Sequence, residues 1–260
     1  MLIPELENIT DMACGTNHVL ALDTKGRLFV WGTGEQNQLG RRVIQRTSRL
    51  ALIPSEIGLK RTKVVTIGSG DYHSFAIDSK GNVLSWGLNS FGQTGIPKEG
   101  ENVDIVGQPT LVKNLNNMKV KQITGGSHHT IARTENGEVL LWGRTENSQA
   151  GMDISNLAED VVYMEEGRAR YLKKPTLIPG IQADSVATAN DTCLIITPKG
   201  KAYSWGFSEN YQTGQGTTLD VKVATLIDNT AVRDKKLIFG GVGGQFGILG
   251  SEAEMLTNGI

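Results

Sequence analysis

The chain is 260 residues long, with 26 lysines and arginines against 27 aspartates and glutamates, and 38% of it is apolar. That is ample for a buried core, and it leaves no whole-chain positive charge to attract a nucleic acid, though a local patch stays open. No apolar stretch approaches the ~18 residues of a membrane span, and two cysteines supply neither a disulfide framework nor a zinc motif.

The chain then reads as copies of one unit. The first copy runs Gly15-Thr16-Asn17-His18-Val19-Leu20-Ala21-Leu22, a turn at Thr24-Lys25-Gly26-Arg27, then Trp31-Gly32 and Gln38-Leu39-Gly40. The second shows the local pattern best. Short runs at 64–67, 73–77, 83–86 and 110–112, rich in β-branched and other apolar residues and bounded by Gly, Asn or Asp, predict strands. Ser79-Lys80-Gly81-Asn82 predicts a hairpin turn in which glycine supplies the positive φ. The third copy carries Gly126, His129, Gly137, Trp142-Gly143, Gln149 and Gly151, followed by an insertion at 153–170, the one segment whose apolar spacing admits a helix. The fourth keeps Gly200, Trp205-Gly206, Gln212 and Gly214, but has Ala189 and Thr192 where the others have Gly and His. A fifth opens at Gly240-Gly241-Val242-Gly243-Gly244-Gln245-Phe246 and has no Trp.

The four tryptophans are 55, 56 and 63 residues apart. Each has a glycine five residues before it, a glycine directly after, a glutamine seven after and a glycine nine after. This is an internal repeat, and it accounts for many of the 32 glycines, where about 18 would be ordinary. Three to four short antiparallel strands per ~55 residues describe a propeller blade. The expectation is an all-β chain forming one partial β-propeller over 1–260, of about four complete blades plus a partial one. The repeats fall near 1–60, 61–116, 117–180, 181–236 and 237–260.

The pattern Gly-x-x-His-x-x-Ala-(Leu/Ile), then Gly-x-(Leu/Val)-x-x-Trp-Gly, then Gln-x-Gly resembles the regulator of chromosome condensation repeat. Gln36-Asn37-Gln38-Leu39-Gly40-Arg41 and Trp86-Gly87-Leu88-Asn89-Ser90-Phe91-Gly92-Gln93 are similar to the fungal members, guanine-nucleotide exchange factors for the nuclear GTPase Ran. The resemblance implies a seven-bladed ring, of which this chain would supply the C-terminal blades. It implies Ran as partner, no cofactor and no metal, action by binding rather than bond-making, and a role in nucleocytoplasmic transport, with a location on chromatin in the nucleus and the cytoplasm as a second compartment left open. It also places an exchange wedge on an earlier blade, so the expectation is weak binding and slow exchange by these residues alone.

Residues that recur in register are expected to build the blades. His18, His73 and His129 are thus expected to be buried and to donate to backbone carbonyls. Residues that break the repeat are the better site candidates, since a shared scaffold does not require them. Directly before the His register stand Asn17, Tyr72, His128, Asp191 and Gln245, with Asp71 one further back. They fall in strand-connecting loops expected to gather on one rim. The resemblance makes these loops, with Arg41, the GTPase-binding set; Asn17 stands where such exchange factors usually have an aspartate.

Residues 41–63 hold Arg41, Arg42, Arg46, Arg49, Lys60, Arg61 and Lys63 against Glu56 alone. Such a stretch is either a solvated loop or a patch for phosphate or an acidic protein face; the resemblance implies a nucleosome, through its acidic patch, or histones as a further partner. The alternative function is therefore a non-catalytic scaffold on chromatin. Residues 153–166 are acidic and 168–174 basic, so the insertion is expected to neutralise itself. Neither a phosphate-cradling Gly-x4-Gly-Lys-(Ser/Thr) loop nor a Gly-x-Ser-x-Gly elbow occurs, which argues against a bond-making enzyme with a small-molecule substrate of its own.

Overall fold

A computed structural model describes residues 3–4, 6–41, 49–59, 62–98 and 104–252. Short runs of alternating or wholly apolar residues between glycine turns form five antiparallel sheets in succession. The first holds β1 (Ile9–Cys14), β2 (His18–Asp23), β3 (Leu28–Gly32) and β4 (Ser55–Ile57). The second holds β5 (Val64–Ser69), β6 (His73–Asp78), β7 (Val83–Leu88) and β8 (Ile105–Leu111).

The third sheet has five strands: β9 (Val120–Gly125), β10 (His129–Thr134), β11 (Glu138–Arg144), β12 (Val162–Glu165) and the long β13 (Arg168–Gln182). β13 pairs with β11 and carries β12 outside it. The insertion is therefore a β-hairpin and not a helix. Tyr163 and Tyr171 stand opposite each other across it, which is strand spacing. The fourth sheet holds β14 (Ser185–Ala189), β15 (Thr192–Ile196), β16 (Ala202–Gly206) and β17 (Val221–Leu226). A two-stranded fifth holds β18 (Leu237–Val242) and β19 (Gly247–Ser251). The first strands β1, β5, β9, β14 and β18 are neighbours in turn. This is the inner edge of a propeller of four blades and a partial fifth, and the partial blade exposes Ile238, Phe239 and Ile248.

The repeated residues build the joints between blades. Trp86, Trp142 and Trp205 are fully buried, and each indole N–H donates to the main-chain oxygen of the preceding blade's glutamine: Gln38 at 2.8 Å, Gln93 at 2.9 Å and Gln149 at 2.8 Å. Each glutamine side chain meanwhile accepts from the N–H two residues before it, fixing the loop that presents the carbonyl. Among the described residues no carbonyl receives Trp31, which is only half-buried.

The histidines are buried as expected but do not bond carbonyls. His18 Nε2 meets Ser74 Oγ of the next blade at 2.8 Å, and His73 Nε2 meets Thr130 Oγ1 at 2.9 Å. Those hydroxyls donate onward to the oxygens of Gln38 and Gln93. They must therefore accept from an imidazole N–H, which makes both rings the Nε2–H tautomer. At the third joint Cys193 stands in the hydroxyl's place, and His129 Nε2 finds Thr188 Oγ1 at 2.8 Å beside the Cys193 sulfur at 3.1 Å. The ring of each histidine lies on the glycine three residues before it, where a Cβ would collide with Cε1. The fourth copy loses both residues together, because Thr192 has no ring for Ala189 to obstruct.

Candidate functional site

The loops joining first to second strands form a continuous belt. Thr16 N–H donates to Asp71 O at 3.2 Å, Asp71 N–H to Gly126 O at 3.1 Å, and Ser127 N–H to Asn190 O at 2.8 Å. The carbonyls of Asn17, Tyr72, His128 and Asp191 accept from Thr33, Leu88, Arg144 and Phe207. Each of those bonds requires the chain to pass close at the glycine after Trp, where φ runs from +94° to +117°. The scaffold thus uses the main chain of these loops and leaves their side chains free to differ, so polar groups can be placed for a partner.

The side chains that differ do converge. Ser127 Oγ donates to Asp71. Asp191 receives Gln149 Nε2 at 2.7 Å and Asn147 Nδ2 at 2.9 Å, so both its oxygens are held in place. Tyr72 and His128 are half-buried, with ring centroids 6.3 Å apart. Burial, and after it the Arg144 guanidinium, draws the His128 pKa below the ordinary value, while Asp191 and Asp71 pull the other way. His128 Nδ1 is buried with no hydrogen-bond partner. A proton there would be wasted, so the neutral ring carries its proton on Nε2. Asn17 and Gln245 are exposed on their loops.

Arg41 lies elsewhere. It lines a cleft of about 520 Å³ with Glu56, Asp78 and Asn82. The last two belong to the β6–β7 turn, at the opposite end of the second blade from Asp71 and Tyr72. Of the basic stretch, Arg49 is exposed at the start of a 3-10 turn, Arg49–Leu52, while Arg42, Arg46, Lys60 and Arg61 fall outside the described residues. The inserted hairpin does pair its own charges: Lys174 with Asp160 at 2.6 Å and Arg170 with Glu165 at 3.3 Å. Among the described residues no three His, Cys, Asp or Glu side chains come together as a metal site.

Sequence reasoning missed Phe91, Arg144 and Asn147, which lie near His128 or Asp191, and Tyr171, which lies against Phe91. The first three follow Trp in their copies, and the departure from the repeat that singled out the first loops applies to Phe91 and Arg144, while Asn147 shares its residue type with Asn210. Phe91 stands in register with Gln36, Asn147 and Asn210, and Arg144 with Thr33, Leu88 and Phe207.

The profile of the RCC1-like domain matches residues 1–249. The chain is 43% identical over its full length to Protein pim1 of Schizosaccharomyces pombe, covering 49% of it. It is 37% identical over 94% of its length to the guanine nucleotide exchange factor SRM1 of Saccharomyces cerevisiae, covering 50% of that protein. The chain thus spans about half the length of these curated relatives. Among solved structures it is similar to Prp20p of Saccharomyces cerevisiae, described with its binding to Gsp1p and histones. The TM-score is 0.88 at 36% identity, over 96% of this chain and 57% of that one.

Proposed function

The chain belongs to the RCC1-like domain family, and from that premise we propose that it acts as an RCC1-type guanine-nucleotide exchange factor for a Ran-type small GTPase. The observation that carries this reading is the rim: Asp71, Tyr72, His128 and Asp191 project from a belt held by main-chain hydrogen bonds. The relatives pim1 and SRM1 support it. The work is done by binding. A rim that grips the GTPase best when its nucleotide site is empty weakens nucleotide by the factor by which nucleotide weakens the rim. Whichever nucleotide enters then expels the factor, and the cell's excess of GTP sets the direction. Asn17 keeps an acceptor at the rim without a charge, and Gln245 offers an amide on the partial blade. Arg41, at the far end of the second blade, contributes only if the partner reaches around the disc. The setting of this reading is the nucleus, on chromatin.

The test is stopped-flow release of a fluorescent guanine nucleotide from Ran. The expected result is release faster than the spontaneous rate and slower than with Prp20p, and a further fall on Asp71→Asn with Asp191→Asn. No acceleration, together with no complex with nucleotide-free Ran, refutes the reading. A second reading, a scaffold that binds histones, is favoured by the basic stretch 41–63 and by the description of Prp20p. Nucleosome pull-down that is lost when Arg42, Arg46 and Arg49 are reversed to Glu, with exchange unchanged, would establish it.

A further inference from the structure

We propose that Phe91 is a positioning residue for the His128 imidazole, and that the hairpin inserted in the third blade acts on the docking rim through Phe91. The proposal rests on the reading of the rim as a GTPase-docking face. Phe91 meets His128 edge to face, with centroids 5.2 Å apart and planes at 70°. The Arg144 guanidinium lies 5.2 Å from the Phe91 centroid. Tyr171 of β13 meets Phe91 at 6.2 Å and 89°, and stacks on Tyr163 of β12 at 4.8 Å and 21°. Cations extend the chain outward: Lys98 Nζ lies 5.7 Å from the Tyr171 ring centre and Lys173 Nζ 6.0 Å from that of Tyr163.

A second line from the hairpin ends on the same ring. Glu165 pairs with Arg170, Arg170 with Glu146 at 3.0 Å, and Glu146 with Arg144 at 3.1 Å. Arg144 is thereby held over Phe91. Neither Phe91 nor Arg144 is required by the blade, since other copies carry unrelated residues in those registers. On its other side His128 faces Tyr72. The ring is therefore boxed by Tyr72 and Phe91, with Nδ1 sealed off, and Nε2–H is the donor it can offer. That donor suits a backbone carbonyl or a carboxylate of the docked protein. The charged and titratable groups around it are Arg144 on β11, Asp71 in the β5–β6 loop, Asp191 in the β14–β15 loop and the neighbouring His129. Loss of the Phe91 ring frees the imidazole to turn, which mixes its tautomers.

The experiment is a long-range nitrogen–proton NMR titration of His128, assigned by comparison with His128→Asn. The wild type, Phe91→Leu, Phe91→Tyr and Arg144→Gln are compared, with Ran affinity measured on the same samples. The wild type should show the Nε2–H tautomer and titrate below the ordinary imidazole range. Phe91→Leu should mix the tautomers and weaken Ran about three- to tenfold, the worth of one aromatic pair, while Phe91→Tyr retains both properties. Arg144→Gln should raise the His128 titration, because burial alone then stands against Asp71 and Asp191. An unchanged tautomer in Phe91→Leu and an unchanged titration in Arg144→Gln overturn the proposal. If the wild type fails to bind Ran, the function reading falls, and the NMR comparison still decides the positioning. If Phe91→Leu does not fold, Tyr171→Leu, which removes the hairpin's contact with Phe91, decides it by the same tautomer and affinity readouts.

Discussion

Three buried imidazoles at the blade joints should make the protein acid-labile well above the carboxylate range. Burial holds the pKa of His18 at about 4 and that of His129 at about 4. His73 lies well below the ordinary value, through burial and then repulsion from His129, His18 and His128. A histidine with a depressed folded pKa binds fewer protons folded than unfolded, so its contribution is present at neutral pH. That contribution is lost as pH falls from 6.5 toward 4. At about pH 5 an unfolded histidine is some 1.5 pH units below its pKa, so each group costs about 2 kcal/mol and the three together roughly 6. That is comparable with the whole stability of a domain, typically ~5–15 kcal/mol. The carboxyls of Asp23 and Asp78 do not blur the window. Burial pushes both up, but turn amides with Arg27 or Asn82 more than offset it, so both titrate below the carboxylate value of 3.8. Urea unfolding followed by tryptophan fluorescence, from about pH 7.5 down to 5, measures the effect. His73→Gln should lower stability at neutral pH and flatten its pH dependence by about a third. A wild-type stability that changes by under about 1 kcal/mol over this range, or an unaltered slope in His73→Gln, refutes the reasoning.

Three further outcomes check the joints. Trp142→Phe removes the indole bond to Gln93 O, which keeps its bond from Thr130, so a loss of about 2 kcal/mol in urea unfolding is expected. Gly87→Ala places a Cβ 2.5 Å from Tyr72 O at a φ of +105° and should cost at least about 3 kcal/mol, read as a lower thermal midpoint. In the native protein a thiol reagent should modify the exposed Cys14 alone, because burial raises Cys193 to about 12; reaction of both thiols without denaturant would contradict this.

The blade was legible in the sequence because the same physical task recurs at every joint. An indole needs one carbonyl, a glutamine must fix that carbonyl, and a glycine must let the chain pass, so Trp, Gln and Gly come back in register. The partners of the histidines were not legible. Ser74, Thr130 and Cys193 occupy one register with three chemistries, because a hydroxyl on either side of the joint can receive the imidazole, and at the third joint Thr188 does so. The inserted hairpin escaped for a different reason. Its buried residues, Val162 and Leu172, face each other across two strands, and its outer face is tyrosine and charge, so neither strand carries a clean period of its own.

The same distinction separates what the scaffold dictates at the rim from what it leaves open. Main-chain bonds hold each rim loop in every copy, so the fold is indifferent to whether Asn17, Tyr72, His128 or Asp191 stands there. Yet Asp191 is fixed by Asn147 and by Gln149, whose main-chain oxygen also serves the Trp205 joint. The link runs from a blade interface to a rim carboxylate through one residue. Asn147→Ala would leave Gln149 to fix the joint's carbonyl while releasing one oxygen of the carboxylate. It separates the two roles: a large change in GTPase affinity with a small change in urea midpoint is the outcome that a binding rim requires, and the converse would make Asp191 a structural ligand of the loop.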